Sequence, residues 1–480
     1  MTTEEIYEIY DDIFSNMTFY VDKKNKTQVY AEYKVSYDDN DGESKNYYEF
    51  LNINDRAFVA DVRLAFIAQT GEKYAPAFTQ IIQRYADEAI SHKNTVDINK
   101  RLAGSENSTT YFFGDDKNRI AYIDKEGVRI RKRSKKYKFL KTDNTKPQVM
   151  PKKSKDKSLL QRLSPFLNMN DDMKILFTVN LVQQFICTSS HFVGVISAEK
   201  GSGKSTLTKI WHRIIDPTEA EVSIMPRNAE ELKNHLANNK VVVFDNTQLL
   251  SQEFSDILCG AVTGTAFTKR ELYTNSNELV YKLHNTVIIN GIDVIPHQSD
   301  LLDRTMLFRL NSISEEDVKD EETLEKEFKK ARPYILGSIF ETLSEYFKHK
   351  HNVTIKGNHR MSRAYKDCYV IATVLGVADE FVKAFERNQA ELKEACENNN
   401  SLISAFNQYF KAKKKKASLG FAAETYDELK QYISEDDAFP NGASAFTSQL
   451  RKDEELLRKA GIKFCKYEDR DGTLLMVNKM

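Results

Sequence analysis

The chain has 480 residues, of which 41% are apolar, and its 70 Lys and Arg balance its 70 Asp and Glu to a formal net charge of zero. This apolar fraction, with 11% aromatic residues, excludes a fully disordered chain, and the balanced charge excludes a globally basic, histone-like protein. At about 150 residues per domain, the length predicts about three domains.

The first residues and the cysteines favour a reduced, cytoplasmic protein. The start, MTTEEIYEIYDD, is acidic, whereas a signal peptide begins with basic residues and continues with an apolar run. The most apolar segment, 175–187, is interrupted by Asn180, Gln183 and Gln184, so no transmembrane helix is predicted. The five cysteines lie far apart and form no CxxC pair, which is typical of a cytosolic chain.

Two basic runs divide the chain into parts. Residues 129–157 hold thirteen Lys and Arg against two Asp and read as an exposed connector, and a second run, KAKKKK, spans 411–416. We predict an N-terminal α+β accessory domain, a basic linker, an α/β core, a helical region and a C-terminal domain, over 1–128, 129–157, 158–312, 313–410 and 419–480.

The pattern of apolar residues predicts the elements of each part. In the first part, segments 28–37, 110–113 and 119–122 are strand-like and 75–89 is helical. In the second part, short apolar strands alternate with helices, which predicts a parallel sheet covered on both faces. These strands are predicted at 191–197, 221–225, 241–244, 285–289 and 305–310. Residues 324–347 and 361–385 then show helical spacing.

The last part has the outline of a winged helix. Helices are predicted at 425–433, 443–450 and 454–460, followed by strands at 462–468 and 473–478. The strands are joined by DRDG, a hairpin signal. Winged helices bind DNA or dock partner proteins, and both alternatives stay open.

A glycine-rich loop between a predicted strand and a predicted helix is the strongest motif. AEKGSGKS (198–205) has the spacing of a phosphate-binding loop, with Ala198 in place of the first glycine. Backbone N–H groups of Gly201 to Lys204 can wrap phosphate oxygens at the helix N-terminus. Lys204 would reach the β- and γ-phosphates of ATP, and the Ser205 hydroxyl would hold Mg²⁺. The candidate nucleotide-binding residues are Ala198, Gly201, Ser202, Gly203, Lys204, Ser205 and Thr206.

Polar residues at the ends of later strands complete a candidate catalytic site. Asp245 ends the strand VVVFD, where a carboxylate lies beside a bound Mg²⁺. Asn290 ends the strand NTVIIN and is placed to orient an attacking water. Arg304 precedes an edge strand, from which it could reach a neighbouring subunit's nucleotide, with Arg309 as a weaker candidate. The alternative for Arg304 is an ordinary surface ion pair with an aspartate.

The order of these motifs resembles the AAA+ core of superfamily 3 helicases. It is closer to the helicase-like ATPases of phages and mobile elements, related to the helicase half of satellite-phage primase-helicases. The resemblance implies that Lys204 and Ser205 are the Walker A pair and Asp245 the Walker B acid. It also implies that Asn290 is sensor 1 and Arg304 a trans arginine finger. A hexameric ring in the cytoplasm of a bacterial host is expected from it.

The resemblance also implies a pore-facing β-hairpin over 263–282. Its candidate DNA contacts are Lys269, Arg270, Lys282 and His284, because the tip, TNSNE, carries no Lys or His. The residue after the Walker B acid is Asn246 instead of a second acid. An amide orients water but cannot accept its proton, which leaves slow hydrolysis or a substitute acid such as Asp256 or Asp303.

The expected function is an ATP-dependent DNA helicase or translocase that acts in replication of a phage or mobile element. Single-stranded DNA would pass through the pore, and duplex DNA would contact the basic linker and the winged helix. One alternative is an ATP-controlled switch or scaffold that binds DNA or a partner without processive unwinding. Another is an ATPase in defence against phage.

Overall fold

The structure is a computed structural model that describes residues 1–23, 25–38, 44–72, 78–199, 201–247, 250–270, 278–291, 298–313, 320–355, 359–433, 439–469 and 472–479. Helices and strands are both present throughout, which confirms a mixed α/β fold. In the described part of the chain, no helix is long and apolar enough to cross a membrane.

The N-terminal elements enclose an aromatic core of their own. They are α1 Thr3–Ser15, β1 Thr18–Asp22, β2 Val29–Asp38, β3 Ser44–Asn52, α2 Arg56–Thr70, α3 Phe78–Ser91 and β4 Thr95–Val96. The sheet has the order β3-β2-β1-β4, and the helices cover one face of it. Tyr10, Phe14, Phe58 and Phe66 are almost completely buried there. These elements include both helices and strands, but the strands predicted at 110–113 and 119–122 belong to another sheet, and a single domain over 1–128 stays a prediction.

A second, antiparallel sheet follows and packs on the rest of the protein. Its elements are β6 Leu102–Ser105, β7 Ser108–Phe112, β8 Ile120–Asp124 and β9 Gly127–Arg131, in the sheet order β6-β7-β8-β9. The short strands β5 Ile98–Asn99 and β10 Lys138–Phe139 form a separate parallel pair. Tyr111, Ala121 and Ile123 belong to the same apolar cluster as Phe185 and Phe340. This sheet therefore shares its core with later elements, not with α1–α3.

The segment 129–157 is only partly the exposed connector that its composition predicts, because several of its residues are buried or bonded to other parts of the protein. Lys138 is only 4% exposed and pairs with Glu32 at 2.6 Å. The Gln148 amide donates to the Tyr111 hydroxyl at 2.9 Å, and the Lys152 N–H donates to the Pro333 carbonyl at 2.9 Å. Buried polar groups are tolerated where they find such partners, and composition alone cannot reveal those partners.

The central region contains a parallel sheet with the order β12-β13-β16-β11-β17. Its elements are α4 Leu159–Leu163, a 3₁₀ turn Ser164–Phe166, α5 Asp171–Gln183, β11 Val193–Ser197, α6 Lys204–Ile215, β12 Ser223–Ile224, α7 Ala229–Asn238, β13 Val241–Asp245, α8 Gln252–Thr263, β14 Ala266–Arg270, β15 Glu278–Lys282, β16 Thr286–Gly291, α9 Ser299–Leu302 and β17 Thr305–Arg309.

Both faces of the parallel sheet are buried, as the sequence predicts. Val241, Val243 and Ile288 pack in the cluster that contains α5 and α6 residues. Their neighbours Val242 and Phe244 pack in the cluster that contains α7 and α8 residues. This alternation follows from the two-residue period of a strand.

The helical region contains α10 Glu321–His349, α11 Ser362–Leu375, α12 Ala378–Asn399 and α13 Ser401–Lys413. The helical pattern predicted over 361–385 is divided between α11 and α12. Gly376 adopts a left-handed φ of 73° and ends α11 through N–H bonds to the Ala372 and Thr373 carbonyls. Periodicity misses this break because apolar spacing continues across it.

The C-terminal elements match the predicted order of helices and strands. They are β18 Ala417–Phe421, α14 Ala422–Lys430, α15 Ala443–Lys452, α16 Glu454–Lys459, β19 Ile462–Asp469 and β20 Gly472–Lys479. The strand β18 was not predicted and joins the hairpin in an antiparallel sheet of order β18-β20-β19. Residues 470–471 of the predicted turn lie outside the described residues. The AAA+ and winged-helix assignments stay predictions.

Candidate nucleotide-binding site

The glycine-rich loop lies between the end of β11 and the start of α6, in the predicted strand–loop–helix order. Gly201 and Gly203 have left-handed φ values of 82° and 83°, which glycine adopts without steric cost. A Cβ atom at Gly201 would meet nothing within 4 Å, so the loop backbone is open on that side. The first N–H groups of a 12-residue helix lie at this opening, which suits an anion.

The Lys204 side chain folds over the loop. Its Nζ donates to the carbonyl of Glu199 at 3.0 Å and also to the carbonyl of Ala198. Ser205 is exposed, Ser202 is buried, and Thr206 is half-buried in a groove beside the start of α10. The ammonium group thus lies at the open loop, where phosphate oxygens would be its acceptors.

Residues after β17 brace the other side of the loop. The Leu310 N–H donates to the Ser197 carbonyl at 3.2 Å, and the Ser312 hydroxyl donates to the Glu199 carboxylate at 3.3 Å. Asn168 donates from its amide to the Asn311 carbonyl at 2.8 Å. Sequence reasoning missed these residues because they lie far from the loop along the chain and carry no motif.

Strand order brings Asp245 and Asn290 beside the loop. β16 lies between β11 and β13, and Asn290 is in register with Ile196, one residue before the end of β11. Ile289 pairs with Phe244, so Asn290 is level with Asp245. The carboxyl ends of parallel strands share one edge of a sheet. The structure therefore brings together the loop, Asp245 and Asn290, as predicted.

A chain of hydrogen bonds connects these groups. The Asn246 N–H donates to Asp245 Oδ1 at 2.9 Å and to Asn290 Oδ1 at 3.2 Å. Asn290 Nδ2 donates to the Thr208 hydroxyl at 3.0 Å, and that hydroxyl donates to the Lys204 carbonyl at 2.7 Å. Asn290 and Thr208 are fully buried. Thr208 was not predicted, because a threonine inside a helix carries no functional signal by itself.

Asn246 is exposed and adopts a left-handed φ of 49°. Asparagine tolerates this conformation better than most residues. Of the two substitute acids, Asp256 is exposed on α8 and accepts a bond from the Gln252 amide at 2.8 Å. Asp303 pairs with Arg360 at 2.9 Å, just before β17. The glycine-rich loop comes after the carboxyl end of β11, whereas Asp303 lies at the opposite edge of the sheet, before β17. Asp303 therefore cannot take the place of the second acid at the site of its own chain.

Arg304 lies at the sheet edge opposite its own loop. Thr305 pairs with Val193, the first residue of β11, whereas Arg309 pairs with Ser197, the last. The two edges are four residues apart along the strand, a distance of about 13 Å. Arg304 Nη1 pairs with Asp300 at 2.6 Å, and its side chain is 17% exposed. Burial raises the pKa of Asp300, but its contacts with Arg304, Cys259 and Arg360 together lower the pKa below its usual value.

Arg309, the weaker finger candidate, lies at the same edge as the loop and pairs with Glu391. Of the two arginines, Arg309 lies at the sheet edge that carries the loop, and Arg304 lies far from the loop of its own chain. A shared site between chains would need Arg304 to leave Asp300.

The predicted pore hairpin is present as the antiparallel pair β14 and β15. Lys269 and Arg270 are at the end of β14, and Lys282 is the last residue of β15. Their side chains, and the tip residues 271–277, lie outside the described part of the structure. The DNA contacts of Lys269, Arg270 and Lys282 therefore stay predictions.

His284 is half-buried and contacts groups within its own chain, and its assignment as a DNA contact stays a prediction. Its Nε2 lies 2.6 Å from the Ser189 carbonyl, and its Nδ1 lies 3.4 Å from Lys240 Nζ. Its ring is 4.6 Å from that of His191, centroid to centroid. Burial lowers the pKa of both His191 and Lys240. His284, His191, Lys240 and Ser189 thus contact one another within the chain. Both ring nitrogens of His284 already have a partner in this cluster.

Comparison with known proteins points to mobile-element replication. Residues 158–396 match the family model described as the actinomycete integrative conjugative element replication protein. No curated protein matches the chain.

Among solved structures, the chain is similar to the A form apo structure of the NrS-1 C-terminal region. The identity is 12%, with 99% of this chain and 98% of that chain covered and a TM-score of 0.42. An apo structure of the same region has 10% identity, 100% coverage of both chains and a TM-score of 0.40. The family match spans the parallel sheet, the loop, Asp245, Asn290 and Arg304, so this part of the chain is similar to replication proteins of a mobile genetic element.

Proposed function

We propose that the protein is an ATPase that acts on DNA during replication of a mobile genetic element. The observation that carries this proposal is the hydrogen-bonded grouping of Lys204, Asp245 and Asn290 around one open, glycine-rich loop. The match of residues 158–396 to a replication family supplies the biological context.

Each residue has a defined role in this proposal. The N–H groups of the loop and Lys204 would bind the phosphates of ATP, and Ser205 and Asp245 would hold Mg²⁺ together with phosphate oxygens. Asn290 would orient the attacking water. The described residues contain no group of three His, Cys, Asp or Glu side chains suited to a metal. A metal ion bound mainly through nucleotide oxygens, as Mg²⁺ usually is, fits this donor set.

We propose further that the active form is a ring, by analogy to superfamily 3 helicases. Arg304 lies too far from the loop of its own chain, so a role in catalysis requires a neighbouring subunit. The hairpin β14–β15 would then contact single-stranded DNA in the pore. A hexamer with ATP at the subunit interfaces is the form that the resemblance favours.

The first test is ATP hydrolysis by the purified protein with and without single-stranded DNA. The wild type should bind ATP and hydrolyse it faster with DNA. Lys204→Ala should lose ATP binding, because the ammonium group that balances the β- and γ-phosphate charge is gone. Normal ATP binding by Lys204→Ala would contradict the assignment of the loop.

A second candidate function is an ATP-controlled switch that assembles on DNA without processive unwinding. The exposed Asn246 amide favours it, because it stands where a proton-accepting acid is expected. ATP binding without turnover, with or without DNA, would make this candidate the better one. DNA-stimulated turnover followed by strand displacement would support the motor.

A further inference from the structure

The basic segment after β8 forms a surface that the candidate nucleotide site does not use. Residues 129–142 contain eight Lys and Arg and no Asp or Glu. This segment includes the edge strand β9 and the strand β10, which pairs with β5. We call the basic face the surface made by Tyr48, Tyr122, Arg131, Lys132, Arg133, Lys136 and Tyr137.

Strand alternation separates the basic face from the core. In β8, Ala121 and Ile123 point into the main apolar cluster, so Tyr122 points the other way. Tyr122 pairs with Arg129 across the sheet, and Arg131 lies two residues further on the same face. The guanidinium groups of Arg129 and Arg131 lie 5.3 Å and 5.0 Å from the centre of the Tyr122 ring. An aromatic ring is therefore displayed between two cations.

The same combination recurs beside β3. The Arg133 guanidinium lies 3.9 Å from the centre of the Tyr48 ring, and Lys136 Nζ lies 5.0 Å from the centre of the Tyr137 ring. A small groove lies between β3 and the basic segment, and Tyr48, Lys132, Arg133 and Tyr137 line it together with the carboxylates of Glu32 and Glu49. The rings of Tyr48 and Tyr137 thus share this groove with Lys132 and Arg133, and Arg131 and Lys136 lie beside these residues in the chain.

Neighbouring carboxylates neutralise only part of the charge. Glu32 pairs with Lys138 at 2.6 Å and lies 3.6 Å from Arg133. Asp124 pairs with Arg129. Arg131, Lys132 and Lys136 are exposed. The face keeps a surplus of positive charge next to aromatic rings, which matches the phosphates and bases of a nucleic acid strand.

We infer that the basic face binds single-stranded DNA. Exposed cations would contact the phosphates, and the tyrosine rings would stack on unpaired bases, which a duplex keeps inside its own stack. This site uses no residue of the hairpin β14–β15 or of the glycine-rich loop, so it goes beyond the proposed function. It would hold a strand while the ATPase core acts.

The test measures anisotropy of a fluorescein-labelled oligothymidine of about 30 nucleotides, long enough for several stacked bases, over a range of salt concentrations and without nucleotide. A triple variant with Arg131→Gln, Lys132→Gln and Lys136→Gln should weaken binding about tenfold or more. It should lower the slope of log affinity against log salt by about 2, since each lost phosphate contact removes about 0.7. The matched control changes Lys414, Lys415 and Lys416 to Gln and should bind as the wild type does.

Two further variants separate stacking from charge. Tyr48→Leu and Tyr122→Leu keep every cation and should weaken binding of the single strand by about fivefold or more. Binding of a duplex of the same length should stay unchanged. Thermal melting of each variant checks that it folds, and ATP hydrolysis without DNA should equal that of the wild type.

Three results would overturn the inference. They are wild-type affinity in the triple variant, an equal loss in the Lys414–Lys416 control, and wild-type affinity in both tyrosine variants. None of these three results affects the measurement of ATP hydrolysis, which tests the proposed function separately. A protein without ATPase activity still reports on the basic face, because the binding assay contains no nucleotide.

Discussion

At the scale of single residues, Asn290 is held by partners on two sides. Its amide nitrogen donates to Thr208 on α6, and its amide oxygen accepts the Asn246 N–H after β13. The side chain is fully buried, so neither group can find water as a substitute partner. The orientation of the amide is therefore fixed by Thr208, which makes Thr208 a positioning residue for the candidate site.

Replacing Thr208 by Val should impair turnover more than ATP binding. The change removes the acceptor of Asn290 Nδ2 and leaves a buried donor without a partner, which costs about 1–3 kcal/mol of stability. We expect turnover to fall about tenfold or more, with ATP affinity close to that of the wild type because the loop is untouched. Steady-state hydrolysis and nucleotide titration measure both. Thr208→Ser keeps the hydroxyl and should retain activity; equal behaviour of the two variants would contradict the role.

Asn246 offers a gain-of-function test at the neighbouring position. Asp at this position would supply the proton acceptor that an amide lacks, and Asp also tolerates the left-handed backbone found here. General-base catalysis contributes about 10²–10⁴-fold in enzymes. We therefore expect Asn246→Asp to raise the rate of ATP hydrolysis about tenfold or more. Asn246→Ser serves as the control, and an unchanged rate for Asn246→Asp would mean that water activation is not limiting.

The sequence predicts the residues of the site that belong to local motifs and misses those that act through distant contacts. Lys204 belongs to a motif, and Asp245 and Asn290 each end an apolar strand, so pattern and position identify them. Thr208 and Ser312 act through hydrogen bonds to residues far along the chain. The contacts of His284 with Ser189 and Lys240 are of the same kind, because these partners come from other elements.

At the scale of elements, the long helix α10 is in close backbone contact with Lys152 of the segment 129–157. A Cβ atom added at Gly337 would lie 2.1 Å from the Lys152 carbonyl oxygen. Next to it, the Lys152 N–H donates to the Pro333 carbonyl at 2.9 Å. The absence of a side chain at Gly337 therefore allows the segment to lie against the helix. A composition-based prediction of a solvated linker misses such a contact, because it depends on a glycine far along the chain.

Gly337→Ala should destabilise the protein, which is the opposite of the usual effect in a helix. Alanine is normally better than glycine in a helix interior by about 1 kcal/mol. Here the methyl group would meet a backbone carbonyl, and overpacking of this kind costs about 1–3 kcal/mol. Thermal or urea unfolding measures the change. Lys330→Ala, exposed on the same helix, should change stability by less than about 0.5 kcal/mol, and a more stable Gly337→Ala protein would contradict the packing argument.

At the scale of the whole molecule, the parallel sheet separates two parts of the proposed active site. The loop, Asp245 and Asn290 lie at the carboxyl edge, and Arg304 lies at the other edge. No movement of a side chain spans a strand of this length. Arg304 is either a structural partner of Asp300 or a group that acts on a neighbouring subunit. A mixture of inactive variants decides between these alternatives.

Arg304→Ala should keep ATP binding and lose turnover, because the transition-state charge would lack its trans partner. Lys204→Ala subunits cannot bind ATP but still carry Arg304. In a ring assembled from equal amounts of both, half of the loops are intact, and half of those face a subunit with Arg304. About a quarter of the wild-type rate should then return. The control replaces Lys204→Ala with the double variant Lys204→Ala/Arg304→Ala, which should restore nothing. If no mixing ratio restores ATP turnover, the shared-site model is wrong, and Arg304 is only a partner of Asp300 within its own chain.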